Sequence, residues 1–365
     1  SQMPSTPNLA AVGICFLRAR HFLSTPNLKA DGICVLPSIH TKFKIAAIKA
    51  DLSIKKKHMI TVTLNPAVDK TYTAESLILG QVNRMESVNN IAGGKGINVT
   101  KVLRQYGYPV TALGFFGGYS GKMIEDAMEG IGVRCRFTHV KGETRSSINI
   151  LARDGYVTEI LEPGPSIKEK ELAGFLDVYE KELETCSLVI LSGSVPAKVP
   201  VDIYATLIKM AEERKVRVLL DSSGIPLKEG VRACPYMVKP NRKELEFLLG
   251  RSLKSLEEIR AGAELLQKGG IPHVLVSMGA KGMLYLQEGR CLYAKAPKIT
   301  AVNTVGCGDS AVAAFAMGLL MEKEGREMLR SCVGISAANA CSLESAVIPQ
   351  EKVEEIMEKV EITEW

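Results

Sequence analysis

Histidine is nearly missing from the body of this chain. Five occur in 365 residues, and only His139 and His273 lie beyond Met59. Histidine-based acid–base catalysis and multi-His metal sites therefore have little to draw on. The nine cysteines are odd in number and include no C-x-x-C pair. That argues against a disulfide framework or a zinc ribbon and for a reducing, cytoplasmic setting. No apolar run reaches the roughly 18 residues of a membrane span, so no membrane partner is expected. A Rossmann G-x-G-x-x-G is absent, which leaves an NAD-binding oxidoreductase without its fingerprint. A Walker P-loop is absent too. Phe116-Gly-Gly-Tyr-Ser-Gly-Lys-Met123 lacks the first Gly and the final Ser/Thr, so Gly117–Lys122 reads as a tight turn.

The body of the chain also lacks a basic surplus. The formal charge is +6 overall, but residues 1–58 hold nine Lys or Arg against two Asp or Glu. The rest of the chain is nearly neutral, so no basic nucleic-acid footprint is expected on a folded face. Within residues 1–58, Ser5–Leu17 recurs as Ser24–Leu36 with ten of thirteen positions identical. Two copies are too few for a solenoid. The segment is not a good secretory signal, because no long apolar stretch ends in a small-residue cleavage site. It is expected to be an N-terminal extension, non-native or disordered, ahead of a domain spanning 59–365.

From Met59 onward, short apolar runs alternate with helical stretches. Ile60–Leu64, Val110–Phe116, Leu188–Leu191, Val216–Leu220, Tyr236–Val238 and Val274–Ser277 read as buried strands. Ile97–Tyr106, Gly121–Gly130, Pro200–Arg214, Arg242–Leu249 and Ser255–Lys268 read as helices. Such alternation predicts an α/β fold whose mostly parallel sheet is covered on both faces. Two stretches, 70–91 and 134–161, break the rhythm and predict a small β lid without intervening helices. No linker divides 59–365.

Two glycine-rich turns carry the chemistry. Val302-Asn-Thr-Val-Gly-Cys-Gly-Asp-Ser310 precedes the apolar stretch Ala311–Met321. Glycines at a helix start leave backbone N–H groups facing an anion at the positive end of the dipole. An Asp in the same turn can accept a proton from a hydroxyl presented to that anion, the pairing that phosphoryl transfer needs. The element reads equally as an N-cap Asp with turn glycines. Ala92-Gly-Gly-Lys-Gly-Ile-Asn98 is the second turn, where glycines admit a ligand to the backbone and Asn98 can face the same space.

Together, in order and spacing, these segments resemble the PfkB (ribokinase-like) family of carbohydrate kinases. Gly93-Gly94-Lys95-Gly96-x-Asn98 is similar to its first signature and Asn303–Asp309 to its second. Between them lie Ser192-Gly-Ser-Val-Pro196, Asp221-Ser-Ser-Gly224, Lys239-Pro-Asn241-x-x-Glu244 and Ser277-Met-Gly279-Ala-Lys-Gly282. Thr63-Leu-Asn65-Pro-Ala-Val-Asp69 and Thr144-Arg145 resemble the branch containing 1-phosphofructokinase, tagatose-6-phosphate kinase and the minor 6-phosphofructokinase. The resemblance implies a three-layer ribokinase-like fold and ATP with Mg²⁺. It makes Asp309 the general base and the amides of Gly306, Cys307 and Gly308 an anion hole. Asn241 and Glu244 would organise Mg²⁺ through water, although their i, i+3 spacing is also a capping-box pattern. Ser277, Gly279, Gly282 and Asn339 would lie against ATP. Asp69, Gly94, Lys95 and Asn98 would hold the sugar, and Arg145, with Lys95 and Arg84, its phosphate. A homodimer through the lid is expected. Tagatose 6-phosphate and fructose 1-phosphate are equally expected acceptors; the alternatives are a minor-type 6-phosphofructokinase and, of another class, a non-catalytic sugar-phosphate or nucleotide sensor.

Cys307 departs from the family pattern, where Ala is usual. Between two glycines at a helix start, a thiolate of lowered pKa is one expectation. A small buried hydrophobe pointing into the core is the other.

Overall fold

The computed structural model describes residues 58–365; the repeat and the expected extension up to residue 57 lie outside the described residues. The strands are β1 (His58–Thr63), β2 (Ala67–Ala74), β3 (Ser87–Gly93), β4 (Val110–Phe116), β5 (Arg134–Cys135), β6 (Thr138–His139), β7 (Arg145–Ala152), β8 (Val157–Leu161), β9 (Cys186–Ser192), β10 (Arg217–Asp221), β11 (Met237–Val238), β12 (His273–Ser277), β13 (Met283–Gln287), β14 (Arg290–Ala294) and β15 (Ile362–Glu364). Eleven of them form one sheet in the order β15-β14-β13-β12-β11-β10-β9-β1-β4-β5, with β6 also on β4. It is parallel from β12 to the β5 edge. Strands β13–β15 add an antiparallel edge that the sequence pattern did not signal.

The buried strands sort their side chains by parity, as the pleat requires. Ile60, Val62, Val189 and Leu191 pack on one face against Phe175, Tyr179 and Leu207 of helices Glu169–Leu183 and Ile203–Glu212. Met59, Leu188 and Ile190 pack on the other against Val99, Leu103 and Phe315 of helices Lys95–Gln105 and Cys307–Leu320. Thr61, on the second face, satisfies its hydroxyl on Thr100 Oγ1 at 2.6 Å. With helices on both faces there is no solvent-facing row, which is why these strands read as continuous apolar runs. Among the described residues no helix is long and apolar enough to cross a membrane.

A separate four-stranded sheet, β3-β2-β7-β8, lies outside this stack. Its register puts Asp69, Thr71, Asn89, Ser147 and Asn149 on one face and Tyr72, Val88, Ile148, Ile150 and Ile160 on the other. Arg134–His139, expected in the lid, belongs instead to the main sheet as β5 and β6. Phe137 between them is buried and stacks on Phe116 with ring centroids 3.6 Å apart, and Arg134 pairs with Glu182 at 2.9 Å. Those anchors hold the segment to the body. Gly117–Lys122 is also more than a turn. Gly117 caps helix Gly118–Gly130, and a Cβ on Gly118 (φ 65°) would lie 1.6 Å from the Glu143 carboxylate.

Candidate active site

The carboxyl ends of β1, β9, β10, β11 and β12 open on one edge of the sheet, where open α/β folds bind ligands. Helix Cys307–Leu320 begins at the same edge. Its N-cap, Gly306, has φ 81°, a left-handed conformation that favours glycine. The first helical hydrogen bond runs from Ser310 N to Gly306 O at 2.8 Å, so the amides ahead of it project from the helix end. Cys307 N leans on Thr304 O at 3.4 Å, a long turn contact.

Asp309 sits in the first turn and is buried. Its Oδ2 accepts a 2.9 Å hydrogen bond from Asn98 Nδ2, reached across 211 residues of sequence. The Oδ1 of Asn98 is buried without a protein donor, so it is available to a ligand hydroxyl. Burial and the nearby Asp221 charge push the Asp309 carboxyl up to about 6, against the pull of Lys95, Asn98 and Lys239. Asp69, on the polar face of the lid, is likewise pushed up to about 6 by burial, against Lys101 and Arg145. It packs so closely that a Cβ on Gly93 would lie 2.0 Å from its Oδ2. Gly94 holds φ 103°, with a virtual Cβ 3.1 Å from the Pro66 backbone, so the turn entering helix Lys95–Gln105 needs glycine.

Lys95 was expected on the sugar. Its ammonium instead lies 3.2 Å from Asp221 Oδ1 and 3.8 Å from Glu244 Oε1. It thus joins the glycine turn to the Asn241–Glu244 element. Burial opposes its charge, but Asp221, Glu244 and Asp309 hold its pKa above the usual lysine value. Asn241 and Glu244 form a reciprocal capping box: Glu244 N donates to Asn241 Oδ1 at 2.9 Å and Asn241 N to Glu244 Oε2 at 2.8 Å. The capping-box reading of that pair is thus present in the structure, and it fixes the Glu244 carboxylate beside Lys95.

Asn241, Ser277 and Gly279 line a cleft of about 730 Å³ beside this cluster. Leu256, Ile259 and Tyr293 line it too, and sequence reasoning missed all three. They lie on elements whose apolar residues read simply as packing. Gly282 and Asn339 are corrected. Gly282 is buried at φ 101°, and its virtual Cβ would lie 2.0 Å from Ala294 O, so the β13–β14 pairing demands the glycine. Asn339 is fully buried. Its Nδ2 donates to Val305 O at 2.8 Å and its Oδ1 accepts from Ala346 N at 2.8 Å. It holds the glycine turn in place and presents no atom to a ligand.

Arg145 stands at the base of the lid, beside Ala67 in register. Nε reaches Asn65 O at 3.4 Å and Nη1 reaches Glu162 O at 3.3 Å. Burial lowers its pKa, with Asp69 and Glu162 opposing. Arg84 lies on the exposed connection between β2 and β3 and is not joined to the cluster by any ion pair or hydrogen bond.

The sequence model of the pfkB family of carbohydrate kinases matches residues 62–351. The chain belongs to the pfkB family of carbohydrate kinases. Similar solved structures cover most of it. A phosphofructokinase candidate from Staphylococcus aureus is 29% identical, with TM-score 0.71, over 84% of this chain and 99% of that one. The tetrameric inhibited form of phosphofructokinase-2 from Escherichia coli is 27% identical, with TM-score 0.76, over 83% and 98%. A 1-phosphofructokinase candidate from Thermotoga maritima is 27% identical, with TM-score 0.77, over 84% and 99%.

In this pfkB kinase the thiol of Cys307 does not follow the activated-thiolate expectation. Burial pushes its pKa up, outweighing hydrogen bonds from Asn339 and Ser336, and Asn339 Nδ2 lies 3.4 Å from the sulfur. The side chain thus points inward at helix Gly325–Ala340, away from the amides at the helix end. Iodoacetamide with peptide mapping should therefore label the exposed Cys234 well before Cys307. First labelling at Cys307 would restore the activated-thiolate reading.

Proposed function

We propose that this kinase transfers the γ-phosphoryl group of ATP to a primary hydroxyl of a ketohexose phosphate. The observation that carries the reading is the placement of Asp309. The carboxylate is buried in the first turn of helix Cys307–Leu320, held by Asn98, with Lys95, Asp221 and Lys239 close by. Asp309 takes the proton of the acceptor hydroxyl as its oxygen bonds the γ-phosphorus and the bond to the ADP oxygen breaks. The turn amides at Gly306–Gly308 face the charge on the transferred group. ATP occupies the cleft along Asn241, Ser277 and Gly279. The hard-oxygen pair Asn241 and Glu244 suits Mg²⁺, which keeps most of its waters and neutralises phosphate charge when bound. Asp69 and Asn98 orient sugar hydroxyls, and Arg145 meets the acceptor's existing phosphate.

Both tagatose 6-phosphate and fructose 1-phosphate fit this reading. Fructose 6-phosphate joins them, because one similar Escherichia coli phosphofructokinase-2 structure is a complex with it. Steady-state kcat/KM on the three sugars, side by side, decides among them. Absence of ATP-dependent turnover with any sugar phosphate would leave only the sensor alternative. The apolar lid face of Tyr72, Val88, Ile148, Ile150 and Ile160 suits self-pairing to a homodimer, to be checked by sedimentation.

A pH dependence follows from the two raised carboxyls. Asp309 must be ionised to accept a proton, and Asp69 to accept from sugar hydroxyls. Both hold their protons up to about pH 6. The acid limb of kcat/KM, which reports the free enzyme, should break near 6 and fall more steeply than tenfold per unit below it. A limb breaking near 4 removes Asp309 as the base.

A further inference from the structure

Asp221 ends β10 and is fully buried. Its Oδ1 lies 3.2 Å from Lys95 Nζ and 3.3 Å from Lys239 Nζ, while its Oδ2 has no protein donor. Lys239 is itself only 3% exposed. A Cβ on Gly308 would lie 3.2 Å from its ammonium, so that cation is seated against the glycine turn. Lys95 approaches from the other glycine turn and touches Glu244 as well. One carboxylate thus fastens together two cations carried by elements that meet nowhere else in the sequence. A buried carboxylate needs a partner, but one lysine would suffice. Two lysines on a single oxygen, at the meeting point of both glycine turns, exceed what burial alone requires.

Resting on the phosphoryl-transfer reading, we propose that Asp221 is a positioning residue of that reaction. It holds the ammonium groups of Lys95 and Lys239 beside Asp309 and the Gly306–Gly308 turn, where they face the transferred phosphoryl group. Its charge also acts on the base. The groups facing Asp309 are Lys95, Asn98 and, more remotely, Lys101 of helix Lys95–Gln105, then Asp221 of β10 and Lys239 after β11. Of these only Asp221 is negative, so it favours the protonated base and makes the ionised form a stronger proton acceptor.

The test is Asp221→Asn, which keeps shape and removes charge. The readouts are kcat, both KM values, the pH profile and the melting temperature. We expect kcat to fall at least tenfold with both KM values within threefold, and the acid limb of kcat/KM, still breaking near 6 on Asp69, to become shallower as the Asp309 ionisation moves to lower pH. A variant with wild-type kcat and an unchanged limb overturns the proposal. So does a loss of kcat that only tracks the folded fraction. Asn leaves the buried Lys239 and the partly exposed Lys95 on one neutral group, so the variant can fail to fold. The double variant Asp221→Asn with Lys239→Met removes one charge of each sign and should fold, with kcat still at least tenfold down. Wild-type kcat in that protein equally overturns the role. Wild-type enzyme without turnover on any sugar phosphate would instead bring down the function reading itself, and this proposal with it.

Discussion

Replacing Asp309 by Asn should lower kcat by roughly 10²–10⁴ and leave the protein no less stable. Asn keeps the size of the residue and an oxygen to accept from Asn98 Nδ2, now 2.9 Å from Asp309 Oδ2, but it cannot take a proton. ATP affinity should hardly change, because the cleft lined by Asn241, Ser277 and Gly279 is untouched. The stability expectation comes from linkage. Asp309 has its carboxyl raised from 3.8 to about 6 in the folded protein. The native state therefore binds that proton more tightly than the unfolded chain does, and above pH 6 the ionised group penalises folding. Removing it relieves a penalty on the order of 2–3 kcal/mol at pH 8. The variant should thus melt at or above the wild-type temperature at pH 8, and the difference should close as pH falls from 6 to 4. A variant retaining more than about a tenth of wild-type kcat ends the general-base assignment. A melting temperature well below wild type at pH 8 would show that the carboxylate is structural.

The second large effect is expected at Arg145. Arg145→Ala should raise the KM for the sugar phosphate roughly 10- to 150-fold, the value of a charge-assisted contact of about 1.5–3 kcal/mol. The KM for ATP should move far less. The guanidinium is held only by two long contacts to backbone carbonyls, Asn65 O and Glu162 O, which leaves donors of its five free for an incoming phosphate. Lys in its place should recover only part of the loss, because an ammonium cannot reproduce the bidentate fork. Equal shifts in both KM values would mean that Arg145 braces the lid and does not read the acceptor.

Much of this molecule was legible along the chain. A strand buried on both faces needs apolar residues at every position, and β4, Val110–Phe116, is buried throughout. A helix that receives an anion needs small residues at its start, and Gly306 and Gly94 are both at positive φ. Such demands are local, so composition and spacing record them. The extent of the lid was less legible, because short alternating strands look alike in either sheet. Pairing with β4, the Phe116–Phe137 stack and the Arg134–Glu182 pair assign Arg134–His139 to the body.

What a side chain finally touches was the tertiary structure's to decide. Asn98 and Asp309 meet although 211 residues separate them. Asn339, 32 residues from Cys307, is consumed inside the turn it was expected to serve. Asp221 and Lys239 each open a segment similar to the family, but only the parallel sheet placed them side by side, within 3.3 Å. The sequence by itself determined the α/β alternation, the two glycine turns and the residue types able to move a phosphoryl group, because each follows from local sterics and hydrogen bonding. Only the packed sheet decided which carboxylate stays ionised between lysines and which has its pKa raised. Those values depend on desolvation and on charges brought together from distant parts of the chain.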